Sequence, residues 1–232
     1  MIKAVFFDLY HTLVHYQPSQ EELESDALKS MNIEVSPTAL RRPILAANEY
    51  IYQQMAQRPL SRRSKEEKMA LYMEYQRVVL KEAGITPDEK VVLRLLGMMQ
   101  QAKMNLVLFD DVTAALDDLK RRGYKVGLIS NIEQDMTTTL DKLGLSKRLD
   151  IVVTSQDAGF TKPQPEIFRY ALEKAGVAAA EAVYVGDQYQ VDVLGANSAG
   201  MQGILIDRDN YNQEKLDCPK LKKLGDIVEF IK

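Results

Sequence analysis

Met1-Ile2-Lys3-Ala4-Val5-Phe6-Phe7-Asp8-Leu9-Tyr10-His11-Thr12-Leu13 opens the chain, and the fold is decided by how this stretch is read. Ile2 to Phe7 is a short run of β-branched and aromatic residues, the composition of a buried strand. Asp8, the first carboxylate, stands where that run stops. The carboxyl end of a central strand in an open α/β sheet faces the crevice in which ligands bind. An aspartate placed there is a candidate nucleophile.

Working outward, the pattern from Phe109 onward alternates between strand and helix. Strands are expected at 125–130, 151–154, 182–185 and 203–207. Helices are expected at 112–122, 135–143, 165–175 and 191–199, with a last short helix at 227–231. Gly123, Gly144 and Gly176 follow three of the helices as stop signals. Such alternation implies a parallel sheet covered on both faces. The expected class is therefore α/β, a Rossmann-like doubly wound sheet that Ile2–Phe7 joins from a distance in sequence.

The intervening segment reads differently. Residues 21–31, 38–57, 65–83 and 89–101 carry apolar residues at helical spacing. In the third piece Met69, Tyr72, Met73, Gln76 and Leu80 fall on one predicted face. Ser36-Pro37 and Thr86-Pro87 read as helix starts and Gly84 as a helix stop. No strand-like alternation is visible there. The expected division is an α/β core of residues 1–14 and 105–232, with an inserted all-helical cap of residues 15–104.

The bulk numbers narrow the function classes. At 232 residues and 46% hydrophobic content, the chain can bury one sizeable core and a smaller accessory one. Its 30 basic and 33 acidic residues are mixed and leave a net charge of -3, so no basic field argues for nucleic acid. Cys218 is the single cysteine, which rules out an intrachain disulfide and fits a reducing compartment. No apolar run approaches the ~20 residues of a membrane span, and Ile2–Phe7 is too short for a signal-peptide core. The expectation is a soluble cytoplasmic protein that acts on a small molecule and meets neither nucleic acid nor membrane. The oligomeric state is not legible.

Four short segments fall at the carboxyl ends of four predicted strands. They are Asp8-Leu9-Tyr10-His11-Thr12, Ser130-Asn131, Lys162-Pro163, and Gly186-Asp187 followed by Asp192. Each alone is ordinary; what counts is that they occur together, in this order, along one sheet edge. Phosphoryl transfer needs a nucleophile, positive charge on the phosphoryl oxygens and firm positioning. Asp8 supplies an attacking carboxylate. Lys162 can neutralise a phosphate oxygen, and the Ser130 hydroxyl and Asn131 backbone N–H can donate to others. Asp8, Asp187 and Asp192 form a carboxylate cluster that repels itself unless a cation or proton enters. Mg²⁺, which prefers oxygen ligands and substrate phosphates, suits it. Gly186 is read as giving the backbone freedom for a tight turn.

The four segments resemble the signature motifs of the haloacid dehalogenase superfamily, and the resemblance spans the whole chain. Ser155 to Phe168, with Lys162-Pro163 at its centre, is especially similar to the third-motif segment. The insert resembles the helical cap of the phosphoglycolate-phosphatase-like branch, which closes over the active site and sets substrate choice. The resemblance implies Asp8 as nucleophile, with Thr12, Ser130, Asn131 and Lys162 as substrate binders. It also implies Mg²⁺ held by Asp8, Asp187 and the backbone carbonyl of Tyr10, with Asp192 either a ligand or just behind the ligands.

Tyr10 departs from the phosphatase pattern, which places a second Asp two residues after the nucleophile as general acid and base. Dehalogenases of the superfamily carry Tyr there, because a halide leaves without a proton. The retained Gly186-Asp187 and Asp192, and His11 where dehalogenases carry Gly, point back to phosphatases. Losing the carboxylate removes general acid catalysis of about 10²–10⁴ in rate. A phenol with pKa about 10 can donate a proton but matches the base step poorly, so activated esters and acyl phosphates suffer least. The leading expectation is a Mg²⁺-dependent phosphohydrolase with Asp8, Tyr10 and Lys162 as its catalytic set. The alternatives are a metal-independent 2-haloacid dehalogenase and a metabolite-binding protein of weakened activity. Arg41-Arg42 and Arg62-Arg63 are read as a solvated helix face.

Overall fold

The computed structural model describes residues 1–133, 135–208 and 216–231. They divide into two compact units, Met1–His15 with Val107–Lys232, and Tyr16–Leu106.

In the first unit Ala4–Phe7 forms β1, and all four of its side chains are buried. A strand buried on both faces needs partners on both edges. β1 pairs in parallel with β4 (Lys125–Ser130) on one side and with β6 (Ala182–Gly186) on the other. β5 (Ile151–Thr154), β7 (Gln202–Ile206) and the short β8 (Lys220–Leu221) complete a parallel sheet in the order β5-β4-β1-β6-β7-β8. The chain builds outward from β1 through β4 to β5, then crosses back to lay down β6, β7 and β8. That reversal puts a topological switch point between β1 and β6, where α/β sheets open a ligand crevice at the carboxyl ends. The α/β doubly wound class read from the sequence is the one observed.

Helices cover the sheet. α5 (Val112–Arg121) packs on β4, as does α8 (Pro165–Ala175). α8 buries Ile167, Phe168, Ala171 and Leu172 in one cluster with Phe6, Ile129, Val153 and Tyr184. Phe168 meets the Tyr184 ring edge-on at 5.1 Å, a favourable aromatic geometry. α6 (Thr137–Lys142) starts later than expected. Met136 is its N-cap, and Asp135 stands before the helix, accepting from both the N–H and the hydroxyl of Thr137. α7 (Ser155–Ala158) is a single turn after β5.

The helix expected at 191–199 is replaced by a π-helical turn, Tyr189–Val193, followed by α9 (Leu194–Ser198). Such widened turns often mark functional sites. Here the turn folds Asp192 back so that its Oδ2 accepts the Gln188 N–H at 3.0 Å. The last predicted helix is a 3₁₀ segment over Leu224–Glu229.

The second unit is helical: α1 (Gln20–Lys29), α2 (Pro37–Gln57), α3 (Lys65–Glu82) and α4 (Glu89–Gln101). Capping boxes start α1 at Ser19 with Glu22 and α3 at Ser64 with Glu67. Ser36 caps α2 with Pro37 in its first turn. α4 starts later than Thr86-Pro87 suggested, because Asp88 accepts from the N–H groups of Lys90 and Val91. The buried face of α3 is Leu71, Tyr75, Gln76, Val79 and Leu80, and Met69 is 43% exposed. The apolar stripe is thus in a different phase from the one read off the sequence. Three short strands are missing from the sequence reading: β8 in the main sheet, and β2 (Val14–Gln17) and β3 (Asn105–Leu108), which pair with each other in a separate sheet.

This helical unit buries a polar group of its own. Glu24 is fully buried, and its Oε1 accepts from Gln20 Nε2 at 2.8 Å. Gln20 also donates to the Tyr75 hydroxyl, which in turn donates to Asn48 Oδ1. Glu24 Oε2 and Gln76 Oε1 are buried without a hydrogen-bond partner among the described residues. Burial, opposed by hydrogen bonds from Gln20 and Gln76, pushes the Glu24 carboxyl up to about 7. The arginines proposed as a solvated face divide. Arg41 pairs with Glu21 at 3.5 Å, and Arg63 caps the end of α2 by donating to the Gln54 and Arg58 carbonyls.

Candidate active site

Parallel pairing puts the ends of β1, β4 and β6 side by side. Asp8 follows β1, Ser130 ends β4, and Asp187 follows β6. Asp8 is anchored by its own N–H, which donates to the Val185 carbonyl at 2.9 Å. The turn beyond it is tight, since Leu13 and Val14 both donate to the Leu9 carbonyl. His11 takes the left-handed conformation there, with φ 57°, a region open to Gly and tolerated by His. Tyr10 is partly buried within this turn.

Lys162 is the centre of the site. It is 3% exposed, and its ammonium donates to Asp8 Oδ1 at 2.6 Å, Asp192 Oδ1 at 2.7 Å and the Tyr184 hydroxyl at 2.8 Å. Ser130 Oγ reaches the same Asp8 oxygen at 3.3 Å. The segment carrying Lys162 is clamped by Asn131, whose side-chain amide accepts the Lys162 N–H at 2.7 Å and donates to the Lys162 carbonyl at 3.0 Å. The Asn131 side chain is therefore a positioning clamp, which leaves its backbone N–H for the role read from sequence. Thr12 is fully buried, and its hydroxyl has no partner among the described residues.

The electrostatics follow from this burial. Desolvation alone would pull the Lys162 ammonium down, but the Asp192 and Asp8 carboxylates outweigh it and hold the ammonium at about 12. Burial raises Asp8 to about 6, against Lys162 and with the help of Asp192. Asp187 is held well above the ordinary carboxylate range by burial, then by Asp192 and Asp8. Ligand oxygens of Asp8, Asp187 and Asp192 all lie within 4.8 Å of one another. Three carboxylates that close favour a cation between them, and an all-oxygen set fits a hard divalent ion.

Gly186 is needed for space. Its φ is not in the left-handed region, and an added Cβ would overlap the Asp192 carboxyl. This corrects the reading that it frees the backbone for a turn.

Two residues that the sequence reading passed over belong to the site. Tyr184 sits inside a strand read as apolar, yet its hydroxyl lies among Lys162, Asp192 and the Ile129 carbonyl. A tyrosine in a buried strand is itself a signal, because its hydroxyl needs a partner. Arg208 donates to the Thr12 carbonyl at 2.8 Å and to Asp111 Oδ2 at 2.9 Å, and it lies over the Phe109 ring at 4.0 Å. It braces the loop that carries Asp8 from 196 residues away along the chain. No comparable sequence signal marks it.

Comparison with known proteins bears on the whole chain. A family model of haloacid dehalogenase-like hydrolases matches residues 2–200. A glyceraldehyde 3-phosphate phosphatase from Methanothermobacter thermautotrophicus is 31% identical over 242 residues, covering 100% of both chains. Among solved structures, a HAD phosphatase from Thermococcus onnurineus aligns with a TM-score of 0.56 at 23% identity, over 99% of this chain and 98% of that one. An L-2-haloacid dehalogenase aligns with a TM-score of 0.66 at 21% identity, over 99% and 98%. At these identities the structural likenesses establish the fold. No helix among the described residues is long and apolar enough to cross a membrane.

Proposed function

The chain belongs to the haloacid dehalogenase-like hydrolases, and from that premise we propose that it hydrolyses a small phosphorylated metabolite through an aspartyl phosphate on Asp8. The observation that carries the reading is the buried Lys162 ammonium shared by Asp8 and Asp192, with Asp187 alongside. Displacement of halide at carbon needs no carboxylate cluster beside the nucleophile, whereas a phosphoryl group is met by the cation that such a cluster would hold.

Lys162 and Ser130 fix the orientation of the Asp8 carboxylate through Oδ1. A carboxylate oxygen attacks phosphorus, the bond to the leaving oxygen breaks, and that oxygen takes up a proton. Water then attacks the phosphorus and returns a proton to the Tyr10 phenolate, the bond to Asp8 breaks, and inorganic phosphate leaves with the carboxylate restored. Lys162, the Ser130 hydroxyl, the Asn131 N–H and the Thr12 hydroxyl donate to the phosphoryl oxygens. Tyr10 gives the proton to the leaving oxygen, its phenol being protonated at neutral pH. Since a phenol serves the later base step poorly, esters with good leaving groups turn over fastest. Asp8, Asp187, Asp192 and the Tyr10 carbonyl would hold Mg²⁺, which supplies positive charge against the phosphoryl oxygens. The helical unit acts as the cap that selects the substrate. Glyceraldehyde 3-phosphate, named for the full-length relative, is the first metabolite to try.

The test is phosphate release from an activated aryl phosphate, with Mg²⁺ and with a chelator. We expect Mg²⁺-dependent release that vanishes in Asp8→Asn. If neither condition gives release while a 2-haloacid loses halide, the dehalogenase reading suggested by Tyr10 replaces this one.

A further inference from the structure

An ammonium has three N–H donors, and in this structure Lys162 spends all three, on Asp8, Asp192 and Tyr184. A phosphate oxygen that arrives at Lys162 must therefore displace one of them. Turning away from Asp192 would leave a buried carboxylate oxygen short of a donor, because Asp192 is 1% exposed. A charged group stranded in this way is expensive.

Tyr184 stands where it can take over. Its hydroxyl oxygen accepts from Lys162 at 2.8 Å, while its proton goes to the Ile129 carbonyl at 3.0 Å. Asp192 Oδ1, the same oxygen that Lys162 serves, is 3.3 Å away. A hydroxyl carries one proton, so Ile129 and Asp192 compete for it. Rotation about the phenolic C–O bond moves that proton from one acceptor to the other and leaves the ring in place. The ring itself is fully buried and held edge-on by Phe168.

We propose that Tyr184 is a positioning residue for phosphate capture. Its hydroxyl fixes the Lys162 ammonium, and its proton turns to Asp192 when Lys162 gives an N–H to the incoming phosphate. The proposal rests on the phosphohydrolase reading above. Tyr184→Phe keeps the ring and removes only the oxygen that does this.

The experiment compares wild type, Tyr184→Phe, Lys162→Met and the double variant. It measures kcat and KM on an aryl phosphate and the inhibition constant of inorganic phosphate. ¹⁵N NMR of the Lys162 side-chain ammonium is recorded on wild type and on Tyr184→Phe. The phosphate inhibition constant and KM should rise about 10–100-fold in Tyr184→Phe, the factor that a hydrogen bond to a charged group commands. Adding Tyr184→Phe to Lys162→Met should change the inhibition constant less than about twofold, since coupled residues are non-additive. The ammonium signal, protected from solvent exchange in wild type, should broaden beyond detection in Tyr184→Phe. A lower Tm with an intact ammonium signal and unchanged phosphate affinity would make Tyr184 a packing residue and overturn the proposal. If the wild type turns over no phosphate ester, the phosphohydrolase reading fails by itself. The ammonium signal then still decides the role: loss supports Tyr184 as the anchor of Lys162, and retention overturns it. Should Lys162→Met not fold, the same signal in Tyr184→Phe settles the matter without it.

Discussion

Asp8 in the α/β unit and Glu24 in the helical unit are both buried carboxyls whose proton affinity is raised, to about 6 and about 7. Their surroundings differ in kind. Asp8 touches a cation, and its shift is a contest between burial and Lys162. Glu24 is met by the amides of Gln20 and Gln76, and one of its oxygens has no partner among the described residues. A buried acid next to a cation keeps its charged form within reach, as nucleophilic attack requires. A buried acid next to amides is cheapest when neutral, and it then serves packing. The same residue chemistry is thus committed to reaction in one unit and to architecture in the other.

The largest effect expected from breaking this contrast comes from Lys162→Met. It removes the cation and strands two buried carboxylates, so unfolding in urea at pH 7 should show a loss of about 3–5 kcal/mol. Gln20→Leu removes one neutral donor to Glu24 and should cost about 1 kcal/mol. Equal losses from the two variants would sink the distinction.

Next in size is the pH dependence of Glu24. Its folded-state value is raised above the 4.5 of a free glutamate to about 7. The stability it contributes is therefore complete below about pH 4.5 and is lost as pH rises through 7. A shift of that size corresponds to roughly 3 kcal/mol. The charged groups facing it work in the same sense: Glu21 adds to the rise, and Tyr75 stays neutral because burial and then Glu24 push its phenol up. Glu24→Gln should thus gain stability over wild type by about 3 kcal/mol at pH 8 and by little at pH 4.5. A gain of the same size at both pH values would assign the effect to packing and not to the proton.

The sheet was legible because buried parallel strands are continuous apolar runs, and the residue just past each run is fixed at the crevice. Asp8, Ser130 and Asp187 were placed by that logic alone. Lys162 was harder: it was read at the end of a strand, but β5 ends at Thr154 and α7 intervenes, so the similarity of its segment to a known motif weighed more there. Tyr184 could not be read as part of the site from Ala182–Val185, because its partners come from β4, the Lys162 segment and the π-helical turn. That turn was itself invisible: helical periodicity does not separate a widened turn from a regular one over five residues. Glu24 looked like one more polar residue on a polar helix. Its burial depends on α3, which comes only after the whole of α2 along the chain.

Gly186→Ala gives the smallest and most local break. The methyl group would overlap Asp192, so either β6 or the π-helical turn must shift. Overpacking of this kind costs about 1–3 kcal/mol. The shift acts on Asp192, and through it on the Lys162 ammonium at 2.7 Å, so turnover should fall by more than the stability loss explains. Gly97 in α4 is the matching position in the helical unit. A Cβ there meets nothing within 4 Å, and Ala in a helix interior is favoured over Gly by about 0.5–1 kcal/mol. Gly97→Ala should therefore raise Tm, while Gly186→Ala lowers both Tm and kcat. If Gly186→Ala folds with unchanged kcat, Asp192 has room to move without disturbing Lys162, and the charge contact between them is not what holds the site in shape.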